Sequence, residues 1–335
     1  MKRYGLFTVS LLFILAACGP KPTTAPTAAP AATAVPTKVA PAETAWPPAG
    51  IIAFSRANSA NLGNIEDYIY LINTDGSGLV QLTNGSQTFT EHPTWSPDGT
   101  RIAYHSGSGR NLVAATLWNM KADGSGQTQL TQLPPGSFFP TWSPDGTRIA
   151  YNISTSDSGP FHIGLMNADG SNRVVLTDGA IWDIWPAWAP DGSILFIRKD
   201  GFVDSLKGDV FSIQPDGSGL TQVTKIGFVG GFALSPDGTR IAYQDMLKHQ
   251  IMLAPIEAGG TTLTLVDLVT YSDSFTCYHM AMSWSPDGQV LAMACSDFST
   301  GAMHTSDIYL VKADGSKLTK IPNTTDSVDP VWKPK

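Results

Sequence analysis

The stretch PTWSPDGTRIAY at residues 93–104 recurs letter for letter at 140–151. It returns as PAWAPDGSILFI at 186–197, FALSPDGTRIAY at 232–243 and MSWSPDGQVLAM at 282–293, and a truncated PVWKP closes the chain at 330–334. Its third position is Trp95, Trp142, Trp188, Leu234, Trp284 and Trp332, at spacings of 47, 46, 46, 50 and 48 residues. Self-similarity at a fixed period is the mark of a repeat architecture and decides the fold ahead of any local propensity. A second motif lies between the copies: INTDGSG (72–78), MKADGSG (120–126), MNADGSN (166–172), IQPDGSG (213–219) and VKADGSK (311–317), with a decayed PIEAGGT at 255–261.

Both motifs are turn chemistry. Pro presets φ, Asp accepts hydrogen bonds from nearby backbone, and Gly takes the left-handed position. Ser-Pro-Asp-Gly joins two short strands, A and B, as a hairpin. Asp-Gly-Ser joins strands C and D. Each unit of about 47 residues is therefore a four-stranded antiparallel sheet with two apolar faces. Such a sheet buries both faces only by stacking against copies of itself, which is the propeller solution. The count predicts an all-β fold: a six-bladed β-propeller of four-stranded antiparallel blades over residues 50–335. The repeat starts on strand B (Ile51-Ile52-Ala53-Phe54) and ends on strand A (PVWKP). The C-terminal strand is thus expected to pair with the N-terminal blade and close the ring.

The rest of the chain reads as an export and anchoring device. Lys2 and Arg3 precede a mostly apolar run over 4–17, the layout of a secretory signal at 1–17. The run ends Leu15-Ala16-Ala17-Cys18-Gly19, which resembles the bacterial lipobox and implies lipidation of Cys18. Residues 18–49 carry the lipidated Cys and a tether. Pro, Ala and Thr make up 23 of the 30 residues from 19 to 48, a composition that favours extended polyproline II rather than a core. The expected location is extracytoplasmic, with a lipid anchor as the sole membrane attachment. Gly19, in place of Asp, points to the outer membrane where a cell has one. The net charge of −7 argues against nucleic acid, which needs a basic footprint. A monomer is expected.

The repeated P-x-W-S-P-D-G-x-x-I-A-Y and A-D-G-S motifs closely resemble those of the TolB β-propeller family, across about residues 50–334. The resemblance implies the propeller fold and, from TolB's binding of a peptidoglycan-associated lipoprotein, an envelope protein or peptide as partner. TolB also carries an N-terminal α/β domain, and here a Pro/Ala/Thr tether stands in its place. Related propellers occur on peptidases and polysaccharide lyases, so a carbohydrate-binding or glycan-active role is the alternative.

The repeat also sorts the candidate site residues. The PDG and DGS turns share one rim and use Asp98, Asp145, Asp191, Asp237, Asp287, Asp75, Asp123, Asp169, Asp216 and Asp314, ten of the 28 acidic residues. These are read as turn formers, and Asp67, Asp209 and Asp307, just before strand C, as structural. The D–A and B–C loops on the other rim differ from blade to blade, and divergence there is where specificity is expected. The position before strand A reads His92, Phe139, Trp185, Gly231, Ala281 and Asp329; Glu91, Phe138, Trp182, Asp183, Tyr278 and His279 flank it. From these the candidate ligand-binding mouth is Glu91, His92, Phe139, Trp182, Trp185, Tyr278, His279 and Asp329. Cys277 and Cys295 are disulfide candidates, with residue 279 expected opposite 295 and Cys277 two positions off register. There is no G-x-S-x-G, H-E-x-x-H or Walker loop, and the six histidines form no metal spacing in sequence. No catalytic residue, metal or cofactor is therefore expected, although His92, His105, His279 and His304 could converge in space.

Overall fold

The computed structural model describes residues 45–58, 66–84, 89–108, 111–154, 159–201, 207–256, 262–267, 275–297 and 306–335, with backbone alone for 275–281 and 297. The expected signal, Cys18, the tether to residue 44 and His304 lie outside the described residues, as do the side chains of Cys277, Tyr278 and His279. Residues Ala45–Lys335 form one compact unit.

The chain runs through repeated four-strand sets. The first comprises β1 (Ile51–Asn58), β2 (Glu66–Asn73) and β3 (Val80–Gln81). The second is β4 (Phe89–Trp95), β5 (Arg101–Gly107), β6 (Thr116–Lys121) and β7 (Thr128–Gln129). The third is β8 (Ser137–Trp142), β9 (Arg148–Ser154), β10 (Phe161–Asn167) and β11 (Val174–Val175). The fourth is β12 (Trp182–Trp188), β13 (Ile194–Lys199), β14 (Gly208–Ile213) and β15 (Thr221–Gln222). The fifth is β16 (Val229–Leu234), β17 (Arg240–Asp245), β18 (Gln250–Pro255) and β19 (Leu263–Asp267). The last run is β20 (Phe275–Trp284), β21 (Val290–Asp297), β22 (Ser306–Lys312) and β23 (Thr319–Lys320), followed by β24 (Ser327–Trp332).

The molecule is an all-β propeller of four-stranded antiparallel blades. Its sheets do not match the sequence count one for one. Four are separate and four-stranded, and a fifth has eight strands. The eight-stranded sheet contains β24-β1-β2-β3 and β4-β5-β6-β7, fused by a single parallel pair, Asp67 with Phe89. Next to it, the Thr90 hydroxyl donates to the Asp67 carbonyl at 2.6 Å. The start of β4 thus contacts β2 of the preceding blade.

The C-terminal strand closes the first set. Ile52 faces Trp332, Ala53 faces Val331, and Arg56 faces Ser327, all antiparallel. The innermost strands touch their neighbours in cyclic order, β24 to β4, β8, β12, β16, β20 and back to β24.

The turns behave as their residues dictate. Asp98 accepts from the Ser96 hydroxyl at 2.6 Å and the Thr100 amide at 3.0 Å, and Gly99 sits at φ 64°. Asp145, Asp237 and Asp287 repeat this arrangement, and Asp191 accepts from Ser193. In the second motif Asp75, Asp123, Asp169, Asp216 and Asp314 each hold the amide and hydroxyl of the following Ser. The hydroxyl donated by Ser143, helped by the Thr147 amide, holds the Asp145 carboxyl down to about 2. Asp67, Asp209 and Asp307 are the second residues of β2, β14 and β22 rather than lying before them. Asp209 binds the Thr224 hydroxyl and the Ile226 and Gly227 amides, and Asp307 binds Lys320.

Blade meets blade through the strand-A Trp. The Trp188 indole N–H donates to the Thr141 carbonyl of the preceding blade at 3.2 Å, and that of Trp284 to Ala233 at 3.1 Å. A cation from the preceding blade covers the ring: Arg148 over Trp188 at 5.2 Å and Arg240 over Trp284 at 5.3 Å. Lys333, just after β24, does the same over Trp95 at 5.3 Å. At the Asp-Gly-Ser turn a Cβ on Gly170, which has φ 85°, would come within 2.7 Å of the Leu130 carbonyl, so only Gly lets the blades approach there.

One aromatic outside the repeat joins this packing. Trp46 stacks on the core cluster of Ile72, Ile308 and Ile321. Its N–H donates to the Thr319 hydroxyl at 2.9 Å, and Lys312 lies 5.7 Å from its ring. The Thr74 hydroxyl holds the Pro48 carbonyl at 2.6 Å. The compact unit thus begins at Ala45, five residues before the repeat does.

Trp332 is only 5% exposed and packs with Ile52, Phe54, Val290 and Ile308. Trp332→Ala is expected to cost about 3–5 kcal/mol, the usual loss for a buried aromatic truncated to Ala. Urea unfolding followed by Trp fluorescence measures it. An unchanged midpoint would remove β24 as the closing strand.

Candidate functional site

Every innermost strand is interrupted at the same place. The ladder slips between Glu91 and Thr94, Phe138 and Thr141, Ile184 and Ala187, Val229 and Phe232, Cys277 and Met282, and Val328 and Val331. A Pro opens the repeat motif at Pro93, Pro140, Pro186 and Pro330. Pro has no N–H for the ladder, so it is tolerated within a strand only at a bulge. The residue before each of these prolines takes a left-handed conformation: His92 at φ 53°, Phe139 at 52°, Trp185 at 55° and Asp329 at 54°. In β16 the corresponding pair is Gly230-Gly231. Bulky residues rarely occupy this region, and such strain concentrates at functional sites.

These four bulge residues form one continuous row across neighbouring blades. Asp329 Oδ1 lies 3.3 Å from His92 Nδ1. The His92 ring meets Phe139 edge-on at 4.3 Å, and Phe139 lies 6.3 Å from Trp185. Glu91 completes a cluster with His92 and Asp329 in which one ligand atom from each lies within 4.8 Å of the others. Five of the eight residues expected at the mouth are thus brought together: Glu91, His92, Phe139, Trp185 and Asp329. Trp182 instead packs edge-to-face on Phe161 at 4.7 Å, which in turn packs on Phe138. Tyr278 and His279 have backbone positions in the β20 bulge, but their side chains lie outside the described residues.

The row is held from behind by residues of strand B in the preceding blade. The Ser55 hydroxyl accepts from the His92 amide at 3.1 Å, and Asn152 Oδ1 accepts from the Trp185 amide at 2.9 Å. Asn152 is fully buried, and its amide group also donates to the Asp183 and His162 carbonyls. Asp183, also buried, forms a two-pronged ion pair with Arg198 at 2.7 and 2.8 Å. The position is the residue after I-A-Y or its counterpart in each repeat: Ser55, His105, Asn152, Ile197, Gln244 and Ala294. It varies in every copy, which was the available signal for a site-supporting residue.

His105 fills that position behind Phe139. It is fully buried, stacks on His92 at 5.3 Å, and meets Phe139 edge-on at 5.6 Å. Neither ring nitrogen has a hydrogen-bond partner among the described residues. Burial pushes its imidazole down to about 3. Burial, and then the neighbouring His105, hold His92 well below the usual imidazole range. Both rings are therefore neutral near pH 7, and the His92–Asp329 contact joins a neutral imidazole to an acid group rather than forming a full ion pair.

Cys295 is disulfide-bonded, and Cys277 stands directly opposite it in the ladder. Cys277 is thus in register, not two positions off. The bulge in β20 spans the four residues 278–281, where an ordinary blade has two, and the added length brings residue 277 rather than 279 opposite 295.

At the opposite rim a cleft of about 570 Å3 runs between Asp98, Arg101, Asn119, Trp142, Asp145 and Asp169. The carboxylates there bind their own turn hydroxyls and amides, so the cleft offers less chemistry than its size suggests.

A family model described as PD40, the TolB beta propeller domain, matches residues 37–230, more than half of the chain. This chain belongs to the TolB β-propeller family. TolB from Acinetobacter baumannii superposes with a TM-score of 0.69 at 20% identity, over 85% of this chain and 67% of that one. A putative TolB from Agrobacterium tumefaciens gives 0.61 at 17% identity, over 84% and 91%. At these identities the likeness concerns the fold. An 83-residue stretch is 35% identical to dipeptidyl-peptidase 5 of Porphyromonas endodontalis, covering 23% of this chain. The chain spans only 11% of that curated relative.

The buried amide support gives a direct test. Asn152→Ala leaves three buried backbone groups of β10 and β12 without their partner. It is expected to destabilise the protein by about 2–4 kcal/mol, since each unpaired buried group costs roughly 1–3 kcal/mol. Ser55→Ala, which frees one amide, is expected to cost about 1 kcal/mol. Equal values in urea unfolding would contradict the graded support.

Proposed function

We propose that this protein is a cell-envelope lipoprotein whose propeller holds a protein or peptide partner at the bulged rim. The propeller is taken as six-bladed, with the eight-stranded sheet counted as two blades. The cyclic order of the innermost strands supports that count. The observation that carries the binding role is the row Asp329–His92–Phe139–Trp185. It combines acidic, imidazole and aromatic groups on a strained, internally supported backbone, the mixture that small recognition sites use. Membership of the TolB β-propeller family supports a scaffold role over a catalytic one. The anchor is assigned to Cys18, on the strength of the small residues before it and the apolar run that they end.

Two measurements test this reading. Full-length protein solubilised from envelopes is used as bait beside the His92→Ala and Trp185→Ala double variant. At least one envelope protein is expected to be recovered in an amount reduced about tenfold or more with the variant. Equal recovery of every partner would discard the rim, and release of reducing ends from cell-wall glycan would favour the carbohydrate alternative. For the anchor, Cys18→Ala is expected to move the protein from the membrane fraction to the soluble one. Continued membrane association would count against lipidation there.

A further inference from the structure

We infer that Glu91, His92 and Asp329 bind a divalent transition-metal ion at the mouth of the propeller. This goes beyond the partner-binding reading and does not depend on it.

The geometry fits one ion. Zn2+ or a similar ion binds imidazole nitrogen and carboxylate oxygen at about 2.0–2.2 Å. Two ligands at that distance in a tetrahedral arrangement stand about 3.3–3.6 Å apart. Asp329 Oδ1 and His92 Nδ1 are 3.3 Å apart, and one Glu91 oxygen lies within 4.8 Å of both. A small movement of the Glu91 side chain closes the third bond. Three protein ligands leave a fourth position toward the channel, for water or for a donor from a bound partner.

The donor chemistry narrows the ion. One imidazole and two carboxylates suit Zn2+ or Mn2+ better than Ca2+ or Mg2+, which prefer oxygen throughout. Asp329 is buried and Glu91 half-buried.

The surroundings make the same point independently. His105 is fully buried, stacks on the back of His92, and has no partner for either ring nitrogen among the described residues. Phe139 closes on the His92 ring edge-on at 4.3 Å. The ring of His92 is therefore fixed between two other rings with Nδ1 turned to Asp329. Its backbone is fixed as well, by the bulge and by Ser55. Asp329 occupies the equivalent bulge one blade earlier. Two of the three ligands are thus the strained residues of adjacent blades, preorganised before any ion arrives.

The test uses the full-length protein stripped with chelator and titrated with Zn2+ by calorimetry, with Ca2+ titrated in parallel. One equivalent of Zn2+ is expected to bind at least about tenfold more tightly than Ca2+. Glu91→Gln and Asp329→Asn are each expected to weaken Zn2+ by about 100-fold. His92→Asn removes the imidazole while keeping a residue that tolerates positive φ, and is expected to abolish the preference for Zn2+ over Ca2+. Should His92→Asn fail to fold, Glu91→Gln decides, because Glu91 lies outside the left-handed bulge. Failure to bind Zn2+, or Zn2+ affinity unchanged in Glu91→Gln and Asp329→Asn, would overturn the site. Partner capture in the pull-down is a separate readout, so either result can fail alone.

Discussion

The structure rests on the strand-A tryptophan wedged between blades. A four-stranded sheet of about 47 residues has too little interior to stand alone. Its stability must come from the face it shares with the next sheet. The indole is buried or half-buried in that face and adds directionality. At Trp188 and Trp284 its N–H reaches a carbonyl of the preceding blade, and an Arg of that blade lies on its face. The Arg of T-R-I-A-Y and the Trp of P-T-W therefore act across a blade boundary, not within one hairpin. Lys333 takes the part of that Arg where the ring closes, because no strand-B Arg is available there.

The same construction explains why the variable residues lie where they do. Where Pro opens the motif, it interrupts the inner ladder and the residue before it lies in a left-handed bulge, and the two copies without Pro carry an interruption at the same place. That residue is released from strand geometry, and at His92 and Trp185 strand B of the previous blade holds its amide. A repeat built this way keeps its scaffold constant and places one freely variable side chain per blade around the axis. The bulge varies the side chain at the rim while the strands on either side of it keep their pairing.

Much of this was legible in the sequence. The repeat fixed strand order, the turn aspartates and the pairing of Trp332 with the first blade, because each depends on local chemistry at a regular spacing. The bulge row was found by position, since the residues before P-T-W were already aligned. A Pro inside the strand carries the physical reason for the bulge in four of the copies. Three features were hidden for physical reasons. The Asp67–Phe89 bridge depends on where a connecting segment happens to run. The register of Cys277 depends on the size of a bulge, which a sequence with a regular hairpin in mind places elsewhere. The docking of Trp46 depends on a groove formed by residues some 270 positions away.

The pairing of β1 with β24 has a kinetic side. Ile52 and Trp332 are opposite each other in the ladder and 280 residues apart in the chain. Contacts of such separation form only after the loop entropy of the whole domain has been given up. Intermediate blades can assemble from neighbouring segments, but the first one lacks its innermost strand until the last one arrives. Opening the protein from the native state must likewise begin or end at this seam. The strand that completes the first blade is thus the last to be synthesised, and the ring is closed by a junction of long-range contacts alone.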